Sequence, residues 1–146
     1  MHLGLAYFTP QKPELGVSRH LWFVLSDPAK SDRVVLANVS TKKCPSGGVC
    51  KVARGEHPAV SEDSYLRFRE VRVASASQLT ELIKKGLVQQ TKDASVELAR
   101  RLQYAILASP AVKLEAQEIL KAQGVSLPEL PDVIPIPDPG EGEDES

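Results

Sequence analysis

Five consecutive apolar side chains, Leu21 to Leu25 in the stretch VSRHLWFVLSDP, constrain this chain more than any other feature. A strand sends successive side chains to opposite faces, so an unbroken apolar run this short suits a strand covered on both sides. Arg19 and His20 stand at its entrance, which sets a cation and an imidazole at the mouth of a buried element. Asp27-Pro28 closes the run with a turn signal, and DRVVLANVST follows as a second, β-branched strand. Together they read as an antiparallel hairpin.

Around this hairpin the chain is long enough, at 146 residues, for one compact domain with appendages. No apolar run approaches the roughly 18 residues of a membrane-spanning helix, and MHLGLAYFTP lacks a charged leader and cleavage site. A soluble, cytoplasmic protein with no membrane association is the expectation. Cys44 and Cys50 are too few for a disulfide framework and are expected as reduced thiols.

The apolar period changes near residue 75. Before it, CKVARGEHPAV and the alternating DSYLRFREVRVAS extend the strand pattern, with Tyr65, Arg67, Arg69 and Val71 on one face and Leu66, Phe68, Glu70 and Arg72 on the other. After it come three helical patterns. SASQLTELIKKG has Ser75 or Ser77 as N-cap and Gly86 as its stop; DASVELARRLQYAILAS places Val96, Ala99, Leu102 and Ile106 near one face. SPAVKLEAQEILKAQG reads as a helix capped by Ser109, with Pro110 at its first position and Gly124 at its end. The fold class predicted is therefore mainly β with C-terminal helices: a small barrel or sandwich over residues 1–75, a helical extension over 76–127 packed on it or on a partner, and a disordered acidic tail over 128–146.

Charge is segregated along the chain. Residues 1–75 carry a net +4, residues 76–131 a net +1 and residues 132–146 a net −6. The tail combines proline, glycine and like charge, a composition that buries too little apolar surface to offset its ordering entropy. It reads as a solubilising segment or as an electrostatic decoy for a basic face. Lys42, Lys43, Lys51, Arg54, Arg67, Arg69 and Arg72 all fall in the strand half, where Tyr65 and Phe68 supply stacking surfaces; Trp22, inside its apolar run, reads as core. Lys42, Lys43, Arg54, Arg67 and Arg69 are the nucleic-acid-binding candidates.

Two other chemistries fit poorly. The spacing of Cys44, Cys50 and His57 matches no common zinc pattern, and CPSGGVC lacks the Gly-Lys-Ser/Thr ending of a phosphate loop. No metal and no cofactor are expected.

The order GVSRHLWFVLSD followed by RVVLANVST, with DSYLRFREVRVAS leading into a helix, resembles the PemK/MazF toxins over residues 14–85. The resemblance implies an SH3-like barrel, usually a homodimer, acting on single-stranded RNA as a metal-independent endoribonuclease neutralised by an antitoxin protein. Carried over by position, the family's catalytic arginine and hydroxyl fall on Arg19 and Thr41, with Ser40 an adjacent candidate. His20 stands where the family usually has proline, and LGLAYF replaces its glycine-led first strand.

The chemistry of metal-free RNA cleavage asks for a base, an acid and a cation to stabilise charge on the phosphorane. Arg19 suits the last role, because its guanidinium offers a bidentate fork and does not lose its proton. His20 and His57 are candidates for proton transfer, His57 through a second loop, RGEHP, that either reaches the same rim or uses the ring to cap a turn. The alternative function is a non-catalytic barrel that binds a protein partner through the helices of residues 93–124.

Overall fold

In the computed structural model, which describes residues 1–10, 19–42 and 49–128, the apolar run is strand β2, Leu21–Val24. Its antiparallel partner is β3, Arg33–Ser40, in the register Leu21↔Val39 to Val24↔Leu36. β1, Ala6–Phe8, borders β2 on the other side. β4 (Lys51–Val52) and β5 (Ser64–Leu66) continue the sheet beyond β3, β6 (Arg72–Ser75) joins β3 at its opposite end, and β7 (Gln89–Thr91) adds to β1. The result is a seven-stranded antiparallel sheet with three helices, a mainly β fold whose helices follow the strands.

Burial on both faces follows from the alternation of β2. Leu21, Phe23 and Leu25 join Val35, Ala37 and Val39 in one cluster, which α2 (Val96–Ala108) and α3 (Leu114–Ala122) cover with Leu98, Leu102, Ile106, Ala116 and Leu120. Trp22 and Val24 point the other way, to Leu5, Tyr7, Val34 and Leu36, under Ala76 and Leu79 of α1 (Ala76–Lys84). Each large side chain buried in this way stabilises the fold by about 1.5–3 kcal/mol before entropy is charged against it.

Three elements differ from the sequence expectation. The segment of residues 63–75 is not one strand: a 3-10 turn at Phe68–Glu70 separates β5 from β6. Leu66, Phe68 and Val71 all enter the same core cluster, and a straight strand puts Val71 on the face opposite Phe68. The turn corrects the phase while Arg67 and Arg69 stay at the surface or its edge.

Second, the change of period at residue 75 does not end the sheet. Gly86, at φ +74°, stops α1, and the chain returns as β7 against β1. β7 is too short and too polar to announce itself.

Third, α3 begins at Leu114 with Lys113 as N-cap, not at Pro110. Ser109 is instead the C-cap of α2, and the turn that follows buries Val112. Gln117 Nε2 then donates to the carbonyls of Ile106 and Ser109 at 3.0 and 2.9 Å, satisfying acceptors that the end of α2 leaves open. α1 starts at an expected cap, with Ser75 Oγ accepting from Gln78 N–H, and α2 is capped by Ser95, whose Oγ accepts from Leu98 N–H. No helix among the described residues is long and apolar enough to cross a membrane.

Candidate nucleic-acid interface

The mouth of β2 opens into a cavity of about 400 Å³. β1 contributes Phe8, the entrance to β2 gives Arg19 and His20, and the end of β3 gives Ser40, Thr41 and Lys42. Ser64 and Arg67 close the far side from β5 and the residue after it. β2 and β3 run antiparallel, so the start of one lies beside the end of the other. Residues separated in sequence thus reach one rim.

Three cations, one imidazole and three hydroxyls line this space, and among the described residues no Asp or Glu does. An anion entering it meets complementary charge from these side chains. The volume also falls in the range of ordinary ligand sites.

Local bonds fix the rim. Thr9 N–H donates to His20 O at 3.2 Å, and His20 N–H donates to Thr9 Oγ1 at 3.4 Å, so the backbone before β2 is tied to that after β1. Arg67 N–H donates to Asn38 O at 3.1 Å, and Ser40 Oγ accepts from Lys42 N–H at 3.2 Å. The Arg19 guanidinium lies over the Phe8 ring, 3.7 Å from its centroid, and Nη2 donates to Gln89 Oε1 at 3.2 Å.

Arg19, His20, Thr41, Lys42 and Arg67 are thus brought together, with Ser40 beside them. His57 is not among the lining residues. Its ring is 1 % exposed, Nδ1 accepts from Ala59 N–H at 3.0 Å, and Nε2 accordingly carries the proton it donates to Lys92 O at 2.5 Å. With Phe23 meeting the ring edge to face at 5.7 Å, His57 caps its own turn and pins it to the chain after β7. Neither nitrogen is left for proton transfer. Arg54 lies in the turn after β4 and Arg69 in the 3-10 turn, both exposed and both outside the lining, while Lys43 lies outside the described residues.

Phe8, Ser64 and Gln89 are the rim residues that sequence reasoning missed. Phe8 sits in a stretch that matches the family pattern poorly, and Gln89 reaches Arg19 only through the pairing of β7 with β1.

Among the described residues no three of His, Cys, Asp and Glu cluster to hold a metal ion. Cys50 is buried against the core; burial pushes its thiol up, against a smaller opposing pull from Arg101, and so keeps it in its unreactive form. Two carboxylates of the strand half are held by cations outside the lining. Glu56 pairs with Arg101 at 2.7 Å and Asp63 with Lys51 at 3.1 Å. Compared with known proteins, the chain matches no family model and no curated sequence.

Proposed function

We propose that the cavity at the mouth of β2 binds single-stranded RNA by a backbone phosphate and cleaves it without a metal, as the resemblance to PemK/MazF toxins implies. The observation that carries this is the convergence of Arg19, His20, Thr41, Lys42 and Arg67 on one space that no carboxylate among the described residues lines. The guanidinium of Arg19 places its fork on the phosphate and stabilises the charge that grows as the 2′-oxygen, losing its proton, bonds to phosphorus and the 5′-oxygen leaves and is protonated, giving a 2′,3′-cyclic phosphate and a 5′-hydroxyl end. With His57 engaged on both nitrogens, His20 is the imidazole left at the rim to exchange a proton. Thr41 supplies a hydroxyl to a phosphate oxygen, and Lys42 and Arg67 hold the neighbouring backbone.

The same family likeness carries an SH3-like barrel, a homodimer and an antitoxin partner into the proposal. A binding module built on residues 93–124 gains less support, because Leu98, Leu102, Ile106, Ala116 and Leu120 are spent on the protein's own core.

The test is cleavage of a long single-stranded RNA in EDTA by wild type, Arg19→Ala and Thr41→Ala. We expect a clear wild-type activity that falls about a hundredfold in Arg19→Ala, the scale on which a lost charge-stabilising donor acts, and by a smaller factor in Thr41→Ala. Absence of wild-type cleavage over varied RNA sequences would remove the enzymatic proposal.

A further inference from the structure

Arg19 is exposed, and burial therefore does not fix where its guanidinium points. Two contacts do. The flat face rests on the Phe8 ring at 3.7 Å, and one edge N–H is taken by Gln89 Oε1 at 3.2 Å. Phe8 and Gln89 are themselves register partners in the β1–β7 ladder, so one cross-strand pair grips both the face and an edge of the same cation.

The geometry points to Phe8 and Gln89 as positioning residues that hold Arg19 ready for a phosphate, an inference that rests on the RNA function proposed above. Stacking uses the π face of a guanidinium and leaves its in-plane N–H groups for an anion. Gln89 adds a neutral acceptor. A carboxylate there would neutralise Arg19 and compete with phosphate for it, whereas an amide oxygen orients the cation and leaves its charge intact.

The surroundings give the clamp its importance. A second hollow of about 340 Å³, bordered by Thr9, Pro10, Leu87 and Gln89, shares Phe8 and Arg19 with the first cavity. Among the described residues the stacked pair is thus a partition with a hollow on either side. If either contact is lost, Arg19 has room to swing off the rim, and misplacement of a reacting group by about 1 Å costs on the order of a hundredfold in rate.

The experiment measures kcat and KM on a labelled single-stranded RNA in EDTA, with melting temperatures, for wild type, Arg19→Ala, Gln89→Ala, Gln89→Glu, Phe8→Leu and Phe8→Tyr. Where wild type binds RNA without cutting it, the same ranking is read in Kd. Gln89→Ala and Phe8→Leu should lower kcat by about tenfold to a hundredfold with a smaller change in KM. Phe8→Tyr, which keeps the ring face, should stay near wild type, and Gln89→Glu should raise KM by neutralising Arg19. Gln89 is exposed on an edge strand, so its variants test the clamp without threatening the fold. If Arg19→Ala is inactive while Gln89→Ala and Phe8→Leu keep the wild-type kcat, the positioning role falls and the RNA function stands. A wild type that neither binds nor cleaves, or an Arg19→Ala equal to wild type, overturns both.

Discussion

Where β2 ends, side chains take up the backbone that the sheet leaves unpaired. Ser26 Oγ accepts from Val35 N–H at 2.8 Å, Gln103 Nε2 donates to Leu25 O at 2.8 Å, and Gln123 holds both the N–H and the carbonyl of Asp27, at 2.7 and 3.3 Å. Where β2 begins, the arrangement is reversed. Cations gather around an open cavity, and one residue further along the ladder, on the face of the sheet turned away from that cavity, Trp22 Nε1 and both polar atoms of the Asn38 amide are buried without a partner among the described residues. Trp22 and Asn38 stand directly opposite each other in the β2–β3 ladder. Buried polar groups are nearly always satisfied, and lapses concentrate where a protein keeps something other than stability. One end of the strand is closed by side chains, and the other is open.

The sharpest way to break this contrast is to find the two ends interchangeable. Arg19→Ala should cost activity about a hundredfold, equivalent to about 2.7 kcal/mol of barrier, while denaturant unfolding shifts by no more than about 0.5 kcal/mol. Gln103→Leu should do the opposite. It strands the Leu25 carbonyl and should lower unfolding free energy by about 1–3 kcal/mol, leaving RNA cleavage per folded molecule unchanged. An activity loss in Gln103→Leu beyond its unfolded fraction would mean the closed end also serves the site.

Asn38→Leu sharpens the comparison from the other side. Removing an unpartnered buried amide from a site of similar volume should raise stability by about 1 kcal/mol, read as a higher denaturant midpoint. A loss of stability there would show that the amide has a partner after all, such as a bound water.

The smallest effect expected is a pH dependence in the loop that joins β2 to β3. Asp32 accepts from Ser77 N–H and from the hydroxyls of Ser77 and Ser75, and these bonds hold its carboxyl below the usual range. A carboxyl lowered in the folded state contributes stability that is fully present above its unfolded value of about 3.9 and is lost as pH falls through the lower, folded value. Asp32→Ala should therefore lower stability at pH 7 and flatten its decline below about pH 4, as followed by thermal melts across that window.

Much of the scaffold was legible in the chain. The run Leu21–Leu25 could be satisfied only by burial on both sides, and Ser75 and Gly86 mark the ends of α1 by local chemistry that acts within a few residues. Arg19 and His20 were legible at the mouth of β2, and Thr41 was named only through the family resemblance; the hairpin sets the start of one strand beside the end of the next, so the three line one cavity. What escaped was set at long range or by phase. β7 carries no apolar signature, Phe68 and Val71 share a core cluster only because a turn intervenes, and the choice between rim and cap for His57 depended on a carbonyl at Lys92. The acidic composition of the tail lies outside the described residues.

The pairing of β7 with β1 also sets a timetable. Arg19 and the Gln89 that holds it are 70 residues apart, so at about 5–20 residues per second the first spends roughly 4 to 14 s of synthesis before the second exists. During that interval β1 has one of its two neighbours and the cation has no edge contact from Gln89. A chain emerging from the ribosome therefore makes β2 and β3 before Gln89 can hold Arg19, and the helices α2 and α3 that cover their core come later still. For an activity directed at RNA, that order delays the finished rim until most of the sheet has been made.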